Sequence, residues 1–190
     1  MQAFDSLSRD IQQYIYDKGW PSLTSIQNAA IKQVANTDHN LILSAPTASG
    51  KTEAAFIPAL NSVEDWETGL KVLYISPLKA LINDQFQRIS ELSEYLDIPI
   101  TRWHGEVSQA QKRKVVNQPK GVLLITPESI EGMLVNRPGE AEHLFKGVEW
   151  IIIDELHSFL GTERGIHLQS LLQRISRFMQ APRFIAMSAT

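Results

Sequence analysis

"LILSAPTASGKTEAAF", residues 41–56, decides the fold. A short apolar run breaks into small and polar residues, and the chain then turns helical through "TEAAFIPAL". Gly50, Lys51 and Thr52 therefore stand together at the mouth of a buried strand. The stretch Ala45-Pro46-Thr47-Ala48-Ser49-Gly50-Lys51-Thr52 matches the phosphate-binding P-loop pattern, except that Ala45 replaces its first glycine. Such a turn wraps consecutive backbone N–H groups round a β-phosphate, and the helix start behind it adds partial positive charge. Gly50 lets the backbone approach closely, Lys51 reaches the β/γ oxygens, and the Thr52 hydroxyl suits Mg²⁺. The bland alternative is a chance Gly-Lys-Thr at a helix start. The strand before it and the helix after it argue against that.

Outward from this turn, short β-rich runs alternate with helical patterns. Strands are expected at 40–45, 71–76, 98–104, 121–126, 149–154 and 183–188, several of them continuously apolar and rich in Val and Ile. Helices are expected near 52–63, 78–95, 108–117, 127–135 and 165–180, preceded by two more at 5–18 and 24–36. In the first, Leu7, Ile11 and Ile15 share one face. This alternation predicts an α/β fold, a mostly parallel sheet with helices on both faces, in one domain spanning 1–190. Ligands in such folds gather at the C-terminal ends of the strands, so the informative residues should follow each strand directly.

Bulk properties exclude several classes. The chain has 190 residues, 43% hydrophobic and 21% charged, without a low-complexity tract. That suits a soluble globular protein with one well-formed core. No apolar run approaches membrane-spanning length and the N-terminus lacks a signal-peptide pattern, which fits a cytoplasmic protein. There is no cysteine, so disulfides, thiolate metal sites and thiol catalysis are excluded. Net charge is −3, so any polyanion must be bound through local geometry rather than a global field.

"WIIIDELH", residues 150–157, places Asp154 and Glu155 at the tip of a second buried strand. Two carboxylates there are costly without a cation, because burial disfavours the charged form. Asp154 suits the Walker B role of holding Mg²⁺, and Glu155 suits orientation and deprotonation of the water that attacks a γ-phosphate. Alone, Asp-Glu after a strand can be a solvated turn. Coupled to the phosphate loop, it points to ATP hydrolysis.

"APTASGKT", "DELH" and the terminal "SAT" (188–190) resemble motifs I, II and III of superfamily 2 helicases of the DExH type. "GWPSLTSIQ", "SPLKALINDQ", "WHGEVS", "TPESIEGML" and "GTERGIHLQSLLQRI" resemble the Lhr-type (large helicase-related) branch, in the expected order from residue 4 to 190. The resemblance implies a RecA-like domain, the N-terminal one of two, with residues 1–36 as a Q-motif helical region. It implies ATP and Mg²⁺ as ligands, a single strand of DNA or RNA as partner, and 3′-to-5′ movement. The second domain of the family carries motifs IV to VI with arginine fingers. Without it, slow turnover is expected of this chain. Ala48 departs from the family's usual glycine; a methyl group there either demands negative φ or crowds a phosphate oxygen.

The resemblance also gives roles to flanking residues. Gln27 sits where the family reads the adenine edge, yet Thr24-Ser25-Ile26-Gln27 is equally a capping box. Phe4 either stacks on the base or anchors the first helix. His157 is implied to link hydrolysis to strand movement through Ser188 and Thr190, the alternative being a surface hydrogen bond.

Single-strand contact is expected at helix starts. Ser76-Pro77 and Thr126-Pro127-Glu128 each place a hydroxyl cap and a first-turn proline where free N–H groups meet backbone phosphates. Lys79, Arg102, His104, Gly105 and Arg164 supply cations and glycine-flanked turns on the same edge. Plain capping is the alternative reading. Two other functions remain open: a P-loop kinase, for which no lid segment is visible, and a nucleotide switch that recruits partners without hydrolysis.

Overall fold

The fold comes from a computed structural model that describes residues 3–189. Six strands, β1 (Leu41–Ser44), β2 (Gly69–Ile75), β3 (Ile100–Trp103), β4 (Lys120–Ile125), β5 (Trp150–Ile153) and β6 (Arg183–Ser188), form one sheet. Its order is β1-β6-β5-β2-β4-β3, and every pairing is parallel. The helices are α1 (Arg9–Asp17), α2 (Ser25–Asn36), α3 (Lys51–Ser62), α4 (Lys79–Tyr95), α5 (Gln109–Asn117), α6 (Pro127–Asn136), α7 (Pro138–Phe145) and α8 (Glu163–Ile175).

Strand side chains alternate between two cores, as the pleat requires. Val72, Tyr74, Val122, Leu124, Ile152, Ile185 and Met187 face α1 to α4, where Ile11, Ala30, Phe56 and Ile82 meet them. Leu73, Ile75, Leu123, Ile125, Ile151 and Ile153 face Ile130 of α6, Phe145 of α7 and Leu171 of α8. With both faces covered, the central strands carry almost unbroken apolar sequence, which is why periodicity alone locates them. Leu7, Ile11 and Ile15 are all buried, although Leu7 lies just before α1.

One helix is missing from the sequence expectation. α7 starts with Pro138 in its first turn and buries Ala141, Leu144 and Phe145. The signal was present, a proline at the first turn followed by apolar residues three and four apart, but the helix is only 8 residues long. A second expectation is corrected at Ser76-Pro77. α4 begins later, at Lys79, behind Leu78, and no side chain caps it. Ser76 is instead fully buried at the end of β2. Thr126-Pro127 behaves as expected: Thr126 Oγ1 accepts from Ser129 N at 3.3 Å with the proline in the first turn.

α6 and α8 are joined by Glu131, which accepts from Arg174 Nη1 at 3.0 Å and also pairs with Arg174 Nη2, while His167 Nε2 lies 3.0 Å away. The Arg174 hydrogen bonds, helped by His167, hold the Glu131 carboxyl down at about 2. A carboxyl depressed on folding stabilises fully above its unfolded value and loses that contribution as pH falls towards the folded one. Glu131→Gln should therefore melt about 2–4 °C lower than wild type at pH 7, for a pair worth on the order of 1 kcal/mol. The gap should close between pH 4 and about 2, as followed by circular dichroism.

Candidate nucleotide and strand site

β1, β6 and β5 are neighbours, so the turn after β1, the end of β6 and the acids after β5 open on one edge of the sheet. Gly50 caps α3 at φ 83°, a left-handed conformation that glycine takes without strain. A Cβ there would stand 2.6 Å from Gln27 Nε2, so any other residue would displace the Gln27 amide from the turn. Ala48 too adopts positive φ, 61°, so its methyl group does not force a negative value as the sequence suggested. Holding alanine there costs on the order of 1–2 kcal/mol. Lys51 Nζ donates to Pro46 O at 2.7 Å and to Ala45 O, so the ammonium closes the turn that precedes it. Thr47 lies exposed in that turn. Ser49 Oγ is buried without a hydrogen-bond partner.

Asp154 is 6% exposed. Burial raises its carboxyl above the usual carboxylate range, with the adjacent Glu155 adding to the effect; the hydroxyl of Tyr74 on β2 and the nearby Lys51 ammonium pull the other way. Tyr74 donates to Asp154 Oδ2, and Glu155 N donates to Asp154 Oδ1 at 2.9 Å. A buried carboxyl that is still raised with those partners in place is a position that a cation would relieve. No group of three or more acidic or histidine side chains forms a protein-only metal site among the described residues. Mg²⁺ suits such a setting, because it takes one or two protein ligands, keeps water and uses substrate phosphates. Thr52, 6% exposed at the start of α3, and Asp154 are the residues that fit it.

Glu155 sits at φ 48°, which turns its side chain out of the strand direction. Its carboxylate lies 3.1 Å from His157 Nε2. His157 Nδ1 accepts from Ala189 N at 3.4 Å and meets Ser188 Oγ at 3.3 Å. An accepting Nδ1 places the ring proton on Nε2, directed at Glu155. The structure thus joins Glu155, His157 and Ser188 in one chain across β5 and β6. Thr190 lies outside the described residues.

Gln27 is 4% exposed and completes the capping box, its Oε1 accepting from Thr24 N at 2.9 Å. Its Nε2 donates to Gly50 O at 3.4 Å, so the cap also braces the phosphate turn. Phe4 packs against the core and lines a cleft of about 410 Å³ with Trp20, Leu23 and Asn28.

On the other half of the sheet edge, the expected cations are already engaged. Arg164 at the α8 start donates to Pro77 O at 2.8 Å and to Glu128 at 2.7 Å, tying three helix starts together. Lys79 pairs with Glu106. Arg102 donates to Asn83 Oδ1 at 2.8 Å and lies over Phe86 at 5.0 Å. His104 is buried, its Nε2 3.3 Å from the same Asn83 oxygen, and burial lowers its basicity further below the usual imidazole value. Gly105 follows in an exposed turn. Tyr74, Asn83 and Gln85 were not singled out in the sequence; each is a polar group within an otherwise regular strand or helix.

A parallel sheet with a phosphate turn and an acidic strand tip on one edge defines a P-loop nucleotide-binding domain. The DEAD/DEAH box helicase family matches residues 24–190, and the chain belongs to that family. Over its whole length it is similar to the ATP-dependent helicase Lhr-Core of Methanocaldococcus jannaschii, at 30% identity and covering 24% of that protein. Similarity to the Lhr helicase/uracil glycosylase of Escherichia coli is 34% identity over 88% of this chain and 12% of that one. In structure it is similar to Mycobacterium smegmatis helicase Lhr bound to ssDNA and AMP-PNP, with TM-score 0.87 and 29% identity, covering all of this chain and 26% of that one. The fold is that of the RecA-like helicase domains. The chain spans about a quarter of the Lhr-Core relative's length. Among the described residues, no helix is long and apolar enough to cross a membrane.

Proposed function

We propose that this chain is the N-terminal ATP-binding motor domain of an Lhr-type helicase, moving 3′-to-5′ along single-stranded DNA or RNA. The observation that carries the reading is that Lys51 and Asp154 share one sheet edge, close enough for the ammonium to act on the carboxylate. The backbone of residues 47–52 takes the phosphates and Lys51 turns from its loop carbonyls to the β/γ oxygens. Thr52 and Asp154 would hold Mg²⁺, which would supply positive charge beside the transferring phosphate. Glu155 orients the attacking water and takes its proton, and His157 Nε2–H steadies that carboxylate. Because His157 is read by Ser188 and Ala189, movement at the end of β6 reaches the base.

Gln27 keeps its cap and braces the turn beside the adenine, with Phe4 at the neighbouring cleft. The strand lies along the starts of α4, α6 and α8, held by backbone N–H groups with Lys79, Arg102 and Arg164 exchanging carboxylate or amide partners for phosphates. The Mycobacterium smegmatis Lhr structure holds ssDNA together with AMP-PNP, which supports a single strand and a nucleotide as joint ligands. The test is phosphate release by a chain extended past Thr190, with and without single-stranded DNA or RNA. Stimulation by the strand is expected. Release indifferent to the strand would favour a kinase, and ATP binding without release a switch; either would overturn the motor.

A further inference from the structure

The hydroxyl assigned to the metal is already engaged by Gln85, the last residue of the "SPLKALINDQ" stretch, to which no role has so far been given. Thr52 Oγ1 donates to Gln85 Oε1 of α4 at 3.1 Å, across 33 positions of sequence. A threonine hydroxyl has one proton and two lone pairs, and only a lone pair can ligate a cation. With its proton committed to Gln85, the lone pairs of Thr52 are left for the phosphate side. The amide is not a loose surface group. Gln85 is half-buried, and three positions further along α4 Arg88 ties the helix to Glu53 of α3 at 3.1 Å. Neighbouring polar groups are occupied elsewhere: Gln27 by Thr24 and Gly50, Lys51 by the carbonyls of Ala45 and Pro46.

We propose that Gln85 is a positioning residue that sets the rotamer and proton of Thr52, presenting its oxygen lone pair to the Mg²⁺ of a bound nucleotide. The proposal rests on the Mg-nucleotide reading of the phosphate turn. Partners that orient a metal ligand in this way are worth about 10- to 100-fold in metal affinity. The same helix carries Asn83, which holds Arg102 and His104 at the strand face, so α4 touches both halves of the site.

The test is equilibrium binding of a fluorescent ATP analogue to the 190-residue chain, with Mg²⁺ or with EDTA. Wild type should bind more tightly with Mg²⁺. Gln85→Leu should lose about 10- to 100-fold of that Mg²⁺-dependent gain while binding in EDTA stays unchanged. Gln85→Glu, which keeps an acceptor oxygen, should retain the gain. Gln85→Met serves as a second apolar variant should leucine fail to fold. An undiminished gain in the apolar variants overturns the proposal, as does an equal loss in Gln85→Glu, which would mark a packing role. No gain in wild type would instead sink the phosphate-turn reading, and this proposal with it.

Discussion

Glu155→Gln, in a chain extended past Thr190 through a second RecA-like domain, is expected to keep ATP binding and lose about 10²- to 10⁴-fold in turnover. The two effects separate because different groups carry them. Phosphate affinity belongs to the backbone of the turn, Lys51 and the cation site, whose groups all remain. Glu155 N–H is a backbone donor to Asp154 that the substitution keeps, and losing the adjacent charge favours the ionised Asp154. Turnover needs an acceptor for the water proton, and a carboxamide has no basic oxygen to replace the carboxylate. The change is nearly isosteric, so the left-handed backbone at φ 48° and the contact with His157 can persist. Measured as phosphate release at saturating ATP beside binding of a non-hydrolysable analogue, the result is a kcat effect with affinity intact. Unchanged turnover would remove Glu155 from the role of base.

The second large effect concerns what the chain does alone. Phosphate release by the 190-residue chain should be about 10³- to 10⁵-fold slower than by the extended one, both saturated with ATP and single strand. Charge on the transferring phosphoryl group is stabilised in this chemistry by an arginine from a facing surface. Here Arg88 of α4 is tied to Glu53, Arg174 of α8 to Glu131, and Arg164 belongs to the strand face beside Pro77 and Glu128. Lys51 and the turn can bind the ground state without them, so affinity should fall far less than rate. Equal rates for the two chains would mean that the domain holds a complete hydrolytic site, and the two-domain motor would be wrong.

Much of this was legible before any coordinates. The six strands lie within a few residues of the expected stretches, most clearly for the central β2, β4 and β5, because strands covered on both faces carry almost unbroken apolar sequence. Asp154 and Lys51 could be placed at strand ends because turn chemistry and strand pattern are local properties. Ser76 shows the limit. Ser-Pro before a helix satisfies the capping pattern, yet the chain runs two residues further before α4 begins, and the serine is enclosed by the sheet. α7 shows another: its first-turn proline and its apolar residues three and four apart span only eight residues, too short a stretch to stand out, and packing against the sheet stabilises so short a helix.

What the sequence by itself determined is the inventory of the site and its placement at strand ends, since alternating local patterns fix a parallel α/β architecture. Tertiary structure alone decided the adjacency: β6 slots between β1 and β5, which brings Ser188 to His157 and the motif III strand between the phosphate turn and the acids. It also supplied the partners that tune the chemistry, Tyr74 on Asp154 across 80 positions and Gln85 on Thr52 across 33. Such contacts arise from how crossovers order the strands and how both faces are buried, and no local pattern carries that information.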